Sequence, residues 1–553
     1  MTPQPGRPGS PGRSGPAARR GQPAGRHTAA KPATSAKPGA AAKPGTPAKP
    51  GAAAKPGTPA RPGTPAKPGA AVKPVTAAKP GPAARPGRSR PAAGSRADPA
   101  RSVACEVLQA VAQRDAYANL MLPSLLRERG LTGRDAALAT ELAYGTLRGQ
   151  GTYDAILTVC SDRALDQIDP PIRHVLRLGV HQLLATRIRA HAAVATSVDL
   201  ARDLAGQRPA GFVNAVLRKV ATRDLAAWIE ISAPGREADP AGYLSIRYSH
   251  PRWIVTALRD ALGEDPAGDL AETEAALAAD GTRPRVTLCA VPGLASPAEL
   301  ITGDSEPARW SPFGVYLAAG NPAEVAAVAQ RRAAVQDEAS QLVALALTRA
   351  AACGKDTRWL DLSAGPGGKA RLLAGLAAGQ DAYLVAADVR PHRAGLVRAA
   401  TAGTGRAGVV VADGTVPAWR EGAFDRVLAD VPCSGLGALR RRPEARWRRA
   451  PADIARLGEL QRGLLAAAID SARPGGVIGY VTCSPHLAET SEIVTAVLAG
   501  RGDVQLLDAP AILPEVPDLR CPAPDGRYAQ FWPHRHGTDG IFLALLRRTA
   551  PPS

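Results

Sequence analysis

"DLSAGPGGKA", residues 361–370, ends an apolar β-forming run and leads directly into the helix-forming stretch "ARLLAGLAAG". Gly365, Gly367 and Gly368 allow the backbone to turn sharply there and to approach a ligand closely. The spacing fits neither a Walker A phosphate loop nor the G-x-G-x-x-G dinucleotide fingerprint. A glycine-rich turn alone is weak evidence for a site, so its meaning depends on the strands around it.

Short β-forming runs recur around this turn, and helix-forming segments separate most of them. We predict strands at 358–362, 383–389, 408–413, 424–431, 477–483 and 541–546. This alternation is typical of a mostly parallel, doubly wound α/β sheet, so we predict a Rossmann-like domain over 331–553. Such sheets bind ligands at the carboxyl ends of their strands, which is where the glycine-rich turn lies.

Carboxylates follow three of these predicted strands. Asp388 ends the second strand and comes twenty residues after Gly368, a position from which a carboxylate can accept hydrogen bonds from two ribose hydroxyls. Asp413 and Asp430 end the third and fourth strands. Each could merely cap a following helix, but three in series beside a glycine-rich turn favour a nucleoside ligand.

Two cysteines stand at strand-to-loop junctions on the same edge. Cys433 lies in "DVPCSGLG" (430–437) and Cys483 in "YVTCSP" (480–485). A partly ionised thiol in such a place is a natural covalent nucleophile. The alternative is a small buried hydrophobic residue, the interpretation we keep for the remaining cysteines: Cys105, Cys160, Cys289, Cys353 and Cys521.

An arginine-rich stretch, "LRRRPEARWRR" (439–449), directly follows the first cysteine motif. Arginine can contact phosphates, and Trp447 can stack on an unpaired base. In isolation the run would be a solvated helix face, but its position beside the predicted site favours contact with RNA.

The N-terminal half has a different organisation. Residues 97–235 show helical periodicity and predict a compact helical bundle, in which His174, His181 and His191 lack the spacing of a metal site. Residues 236–330 predict a small connecting domain that contains a helix and a strand.

Residues 1–96 carry the excess charge of the chain. They contain 18 of the 69 Lys and Arg residues and none of the 49 acidic residues, so the remainder has a net charge of only +2. Their repeated Lys/Arg-Pro-Gly units predict a disordered tail, which either attracts phosphate backbones without sequence preference or only adds solubility.

Cysteine usage and hydropathy indicate the compartment. The seven cysteines include no C-x-x-C pair, which argues against a disulfide framework and favours a reducing cytosol. We see neither a signal peptide nor an uninterrupted apolar stretch of about 18 residues. We therefore expect a cytoplasmic protein without membrane contact.

The quoted motifs together resemble a known family. They are similar to the D-x-x-A-x-P-G-G-K, D-x-P-C-S-G and Y-x-T-C-S motifs of RNA (cytosine-5) methyltransferases, while "VQDEASQLVA" (335–344) and "FWPHRHGTDGIFLALLRR" (531–548) resemble that family's flanking motifs. The helical region is similar to the NusB RNA-binding fold. A NusB-like domain before this catalytic domain is the arrangement of the ribosomal small subunit methyltransferase B (Sun/Fmu) family, and the resemblance covers about 97–553. Ser363-Ala364-Gly365 stands where the family more often has Cys-Ala-Ala, a conservative departure.

The resemblance implies S-adenosylmethionine as methyl donor, with no metal, and gives roles to the two thiols. Cys483 would add to C6 of cytosine, and Cys433 would assist release of the methylated base. Asp430 would bond the pyrimidine edge, and Lys369 would support the base or the methionine carboxylate. The implied cofactor-binding residues are Ser363, Ala364, Gly365, Pro366, Gly367, Gly368, Lys369, Asp388 on the ribose, Arg393, Asp413 near the adenine, and Asp430.

The implied substrate is 16S ribosomal RNA, methylated at C5 of a single-stranded or flipped-out cytosine. The residues expected to contact the RNA are Arg440, Arg441, Arg446 and Trp447. We expect a monomer. Two alternatives stay open, a tRNA (cytosine-C5)-methyltransferase and a noncatalytic RNA-binding ribosome assembly factor, although the presence of Cys433, Cys483 and Asp430 argues against the second.

Overall fold

The structure, a computed structural model, describes residues 97–318, 320–522 and 526–550. The predicted tail, 1–96, lies outside the described residues. The described residues begin with a helical bundle, which has a single apolar core that includes Leu142, Ile156 and Leu176. Its helices are α1 Pro99–Gln113, α2 Ala118–Arg129, α3 Gly133–Arg148, α4 Gln150–Cys160, α5 Pro170–Ala185, α6 Ala190–Ala205, α7 Gln207–Val220 and α8 Leu225–Ser232.

Residues 240–335 form a smaller connecting region. It contains the helices α9 Pro240–Arg247, α10 Arg252–Leu262, α11 Ala271–Asp280 and α12 Ala326–Ala329, and an antiparallel sheet of β1 Val286–Ala290, β2 Glu306–Pro307, β3 Gly314–Leu317 and β4 Ala333–Val335. The strand β4 pairs with β1 although it follows the boundary predicted at 330. We keep the boundaries at 96, 235 and 330 as a proposal.

The C-terminal part is an α/β layer structure. Its strands are β5 Arg358–Asp361, β6 Tyr383–Asp388, β7 Ala407–Val411, β8 Phe424–Asp430, β9 Ala472–Thr482, β10 Val504–Leu506, β11 Ala529–Gln530 and β12 Phe542–Arg548. Its helices are α13 Glu338–Arg349, α14 Gly368–Gly379, α15 Pro391–Thr401, α16 Ala445–Arg448, α17 Pro451–Ser471, α18 Ser491–Leu498, α19 Ala509–Ile512 and α20 Pro533–His536. The predicted fold class, a helical domain followed by a Rossmann-like domain, is confirmed.

The strand order decides where a ligand can bind. The main sheet runs β7-β6-β5-β8-β9-β12-β10, with β11 beside β12, and the strands from β7 to β9 are parallel. In chain order the first five strands read 3-2-1-4-5, the order of a doubly wound sheet, whose ligand crevice lies where the order reverses. Here that point is between β5 and β8. The glycine-rich turn follows β5, and the two cysteine motifs follow β8 and β9, so all three meet at one edge. Within the described part of the chain, every helix is too short or too polar to cross a bilayer.

Candidate active site

The two thiols that the sequence analysis singled out are in direct contact. The Sγ atoms of Cys433 and Cys483 lie 3.2 Å apart, because β8 and β9 are neighbours and each cysteine follows the end of its strand. The contact lowers the pKa of Cys483, with burial opposing and the cations of Lys369 and Arg442 assisting. It raises the pKa of Cys433, as does burial. The pair therefore favours a thiolate on Cys483 that accepts a hydrogen bond from the Cys433 thiol.

The loop that carries Cys433 is held by a buried acid. Glu489, which is fully buried, accepts hydrogen bonds from the main-chain N–H of Ser434 at 2.8 Å and from the Ser434 hydroxyl. The amide of Gln461 donates to the Pro432 carbonyl at 2.9 Å and to Glu489 at 3.1 Å. Both neighbours of Cys433 are thus fixed, which keeps its thiol against Cys483.

Lys369 and Asp430 form an ion pair beside the thiols. Lys369 Nζ lies 2.9 Å from Asp430 Oδ2, and the Ser363 hydroxyl donates to the Asp430 carbonyl at 2.8 Å. Burial alone would lower the pKa of Lys369, but Asp430 and the Cys483 sulfur raise it above its ordinary value. Lys369 therefore stays protonated and supplies a positive charge close to the thiolate.

The glycine-rich turn closes on the end of β6. The Gly365 N–H donates to Asp388 Oδ2 at 3.1 Å, and the Arg390 N–H donates to the other oxygen of Asp388 at 2.9 Å. Arg393 donates to the Gly365 carbonyl and lies 3.5 Å from Asp388. A Cβ on Gly365 would come within 2.3 Å of Asp388 Oδ2, so an alanine here would require the Asp388 and Arg393 side chains to shift.

These residues fit S-adenosylmethionine, the cofactor that the resemblance implies. The turn leads into α14, whose N-terminal N–H groups favour a carboxylate. Gln336 lines the same cleft, and its Nε2 is buried without a hydrogen-bond partner among the described residues, so it can donate to a ligand. Asp388 is close to the turn, whereas Asp413 is exposed after β7 and accepts hydrogen bonds from Thr415.

A cleft of about 640 Å³ opens at this edge, a size within the roughly 300–1,000 Å³ of small-molecule sites. Its lining brings together Ala364, Gly365, Pro366, Gly368, Lys369, Asp430, Arg440, Arg441 and Cys483 from the predicted set. The lining does not include Ser363, Gly367, Asp388, Arg393, Asp413, Cys433, Arg446 or Trp447. In the described part of the chain, no group of three or more His, Cys, Asp and Glu side chains is placed to hold a metal ion.

Two of the arginines expected on RNA instead join the flanking motifs. Arg440 and Arg441 both pair with Asp337 and Asp539, at distances between 2.6 and 3.1 Å. Arg440 also donates to the Gly537 carbonyl at 2.8 Å and is nearly buried. This network ties the segment after Cys433 to 335–344 and 531–548, and it occupies the guanidinium of Arg440, whose RNA contact stays a prediction.

Arg446 lies in a contact between the catalytic domain and the helical domain. Its side chain is fully buried, and it donates to the main-chain carbonyls of Arg148, Ser249 and Asp280 at 2.7 to 3.2 Å. A guanidinium whose donors point at buried carbonyls is not open to a phosphate in this structure, and the RNA contact of Arg446 stays a prediction. Trp447, partly exposed, packs against Gly151; its RNA contact, like that of Arg441, stays a prediction.

Further contacts of the same segment explain its composition. Glu444 accepts a hydrogen bond from the Ala118 N–H at 3.2 Å, and Arg448 donates to the Val111 carbonyl at 2.9 Å. On the other side, Arg449 donates to the Ser434 carbonyl at 3.1 Å. We name residues 444–449 the docking segment, because it joins the helical domain to the loop that holds Cys433.

Several residues of the site carried no signal that the sequence analysis used. Glu489 follows Cys483 by six residues and Asp361 opens the glycine-rich motif, so the proximity of each to a motif could have drawn attention. Gln461, in the middle of α17, had no such signal. Tyr144 and Arg148 line the cleft from α3, in a domain for which the sequence analysis named no site residue.

Family models match both parts of the chain. The model described as 16S rRNA methyltransferase RsmB/F matches residues 350–547, and the NusB family model matches residues 98–222. The solved crystal structure of PH0851 superimposes with a TM-score of 0.65 at 21% identity, covering 82% of this chain and 100% of that one, which supports the fold.

Curated relatives cover nearly the same residues. A Mycobacterium tuberculosis H37Rv protein named as a methyltransferase is 51% identical over 453 residues, which are 82% of this chain and 97% of the relative. The ribosomal RNA small subunit methyltransferase B of Pseudomonas syringae is 32% identical over 465 residues, or 81% of this chain and 97% of its own. Methyltransferases of this kind take the methyl group from S-adenosylmethionine, which the glycine-rich turn and Asp388 fit. On these matches, the chain belongs to the RsmB/F methyltransferase family and is an S-adenosylmethionine-dependent RNA methyltransferase.

Proposed function

We propose that this enzyme methylates C5 of a cytosine in 16S ribosomal RNA through a covalent bond between Cys483 and C6. The observation that carries the proposal is the contact of two thiols with opposite pKa shifts, 3.2 Å apart at the end of β8 and β9. Cytosine C5 is a weak nucleophile, and addition of a thiolate at C6 makes C5 resemble an enamine carbon. A pair in which Cys483 ionises more readily than Cys433 suits this chemistry.

In the first step the Cys483 thiolate adds to C6 of an unpaired cytosine, and N3 takes a proton that comes from the Lys369 ammonium through Asp430. We assign the N3 contact to Asp430, which lies in the cleft and accepts a hydrogen bond from the Lys369 ammonium group. S-adenosylmethionine supplies the methyl group that C5 then receives. The residues we propose to hold it are Ser363, Ala364, Gly365, Pro366, Gly367, Gly368, Lys369, Asp388, Arg393, Asp413 and Asp430.

In the last step Cys433 takes the C5 proton and the bond between Cys483 and C6 breaks. The charge on Cys483 and the hydrogen bond to it are two causes of the raised pKa of Cys433. Both causes disappear once the Cys483 sulfur is bonded to carbon, so Cys433 can then release its own proton to solvent and act as a base. Elimination returns the N3 proton and restores a Cys483 thiolate beside a Cys433 thiol.

The proposal of 16S rRNA as the substrate rests on the descriptions of the matching family model and of a relative. The matching family model is described as a 16S rRNA methyltransferase, and the Pseudomonas syringae relative is named for the small-subunit RNA. The helical domain matches the NusB family model, and we propose that it contributes to RNA binding.

Bisulfite sequencing of 16S rRNA and tRNA from a deletion strain tests this function. We expect at least one 16S cytosine to lose protection on deletion and to regain it with the wild-type gene but not with Cys483→Ala. A lost tRNA site would favour the tRNA alternative instead. No change in either RNA would favour a noncatalytic assembly factor.

A further inference from the structure

The cleft has two walls that come from different domains. One wall carries Lys369, Asp430 and Cys483. The other is built by α3 of the helical domain and by the start of the small sheet, and it includes Tyr144, Arg148 and Arg283. None of the motifs that identify the catalytic domain lies on this second wall. The chemistry of the side chains on this wall therefore indicates what it can bind.

The second wall is held in place by the docking segment. The Arg148 carbonyl accepts a hydrogen bond from Arg446 at 3.0 Å, and the Ser249 hydroxyl, at the same junction, accepts one from the Gly151 N–H at 2.8 Å. Because residues 444–449 also fix the Cys433 loop through Arg449, the wall and the thiols belong to one connected arrangement.

Tyr144 and Arg148 form a partly exposed aromatic and cationic pair on this wall. The Arg148 guanidinium lies 5.5 Å from the centroid of the Tyr144 ring. Its Nε is buried and has no hydrogen-bond partner among the described residues, which is also true of the Nε of Arg446 nearby. The two differ at Nη: Arg446 donates to three carbonyls, whereas no hydrogen bond joins the Arg148 guanidinium to a residue that the structure describes. A purely structural arginine at this junction would be expected to use its donors in the same way.

The charge around the pair is mainly positive. Arg283 on this wall and Arg442 on the opposite side are both exposed, and neither forms an ion pair with a residue that the structure describes. The acid on the wall, Glu141, lies 3.7 Å from Nε2 of His181, and this contact lowers the Glu141 pKa. Burial raises the pKa of Tyr144 to about 12, so its phenol stays neutral. Arg148 and Arg283 also contribute to the lowered Glu141 pKa, after the His181 contact, but neither forms a close ion pair with it. An aromatic ring among arginines without close ion pairs to described residues suits a single-stranded nucleic acid.

We propose that Tyr144, Arg148 and Arg283 form a subsite for the nucleotide next to the target cytosine, in which Tyr144 stacks on its base and the arginines contact its phosphates. The proposal rests on the proposed function, since it requires the target base to enter the cleft beside Cys483. It gives the helical domain a direct part in substrate recognition at the reacting centre.

The test compares Tyr144→Leu, which removes the ring, with Tyr144→Phe, which keeps it. The matched control is Phe212→Leu, because Phe212 carries a similar arginine contact, Arg163 at 5.2 Å, in the same domain but outside the cleft. The probe is a 16S rRNA transcript, and the readouts are KM for the RNA, kcat and the affinity for S-adenosylmethionine. We expect Tyr144→Leu to raise KM about tenfold or more, the size of one lost base stack, with cofactor affinity unchanged. Tyr144→Phe and Phe212→Leu should behave as wild type.

An abasic substitution identifies the contact. Once the methylated cytosine is mapped, removing the base on one side of it should raise KM for wild type and for Tyr144→Phe, but not for Tyr144→Leu, which has already lost the stack. Arg283→Gln should reduce the salt dependence of RNA binding by about one phosphate contact. If wild type methylates the transcript while Tyr144→Leu has an unchanged KM, the subsite is overturned. If wild type methylates no RNA, the proposed function has failed instead.

Discussion

The Sγ atoms of Cys483 and Cys433 lie 3.2 Å apart, so each sulfur is the neighbour that most affects the ionisation of the other. The hydrogen bond between them is the largest cause of the lowered pKa of Cys483 and of the raised pKa of Cys433. Their chemistry cannot be separated by position, since both lie at the same edge of the sheet. The roles of the two thiols can be separated by whether each cysteine variant accumulates a covalent complex with RNA.

Replacing each cysteine in turn should give opposite products. Cys483→Ala should abolish methylation and any covalent complex with RNA, because the attacking sulfur is gone. Cys433→Ala should block turnover after the adduct has formed, so that a protein–RNA complex survives denaturing electrophoresis. Cys289→Ala is a suitable control, since this cysteine is buried in the core. A complex that accumulates in Cys483→Ala instead would mean that the two roles are exchanged.

Removing the positive charge of Lys369 should raise the pKa of Cys483. The Cys433 hydrogen bond is the first cause of the lowered value, and the Lys369 cation is a further one that Lys369→Met deletes. The rate of Cys483 alkylation by iodoacetamide, followed by mass spectrometry, should then rise at higher pH than in wild type. Lys219→Met, an exposed change in the helical domain, is the control. An unchanged profile would remove Lys369 from the activation of the thiolate.

The sequence predicted the sheet well because long apolar runs dominate it. The six predicted strands correspond to β5, β6, β7, β8, β9 and β12, each within a few residues apart from an earlier start of β9. The strands β2, β3, β4, β10 and β11 were missed since they have only two to four residues, too few for a periodicity to be detected. Motif spacing likewise placed Cys433, Cys483, Lys369 and Asp430 at one edge, because their strands are neighbours.

The arginine-rich stretch shows what the sequence could not predict. Whether an arginine faces solvent or a partner depends on residues far away in the chain. The acids that pair with Arg440 are Asp337 and Asp539, about a hundred residues to either side. The carbonyls that bind Arg446 belong to another domain. The position of the run beside the predicted site favoured contact with RNA, whereas the structure buries Arg440 and Arg446 against other parts of the chain.

Asp388 should contribute to cofactor affinity. Its carboxylate already orders the glycine-rich turn through the Gly365 N–H, and we propose that it also binds the ribose. Asp388→Ala should weaken S-adenosylmethionine binding, since a hydrogen bond to a charged group contributes roughly 1.5–3 kcal/mol. Calorimetry with Asp381→Asn as a control, an exposed acid paired with Arg406, gives the comparison. Unchanged cofactor affinity would exclude Asp388 from the site.

Arg446→Met should loosen the docking of the helical domain without changing phosphate contacts. The variant leaves three main-chain carbonyls without their donor, and each unsatisfied buried group costs roughly 1–3 kcal/mol, offset in part by removal of a buried charge. We expect a lower midpoint in urea, measured beside the exposed control Arg442→Met. The salt dependence of RNA binding should match wild type. A smaller salt slope with unchanged stability would return Arg446 to the RNA surface.

Asp361 should make stability depend on pH in a direction that is unusual for an aspartate. The side chain is fully buried at the end of β5, and burial, reinforced by the Asp430 carboxylate, raises its pKa to about 8. An unfolded aspartate ionises near pH ~4, so between about pH 4 and pH 8 the folded state holds a proton that the unfolded state has lost. The free energy of unfolding from this group therefore falls as the pH rises through that window and levels off above it. Asp361→Asn removes the titration. In urea unfolding, the free energy of unfolding of the variant relative to wild type should be higher at pH 8 than at pH 5. An equal difference at both pH values would mean that Asp361 is ionised throughout.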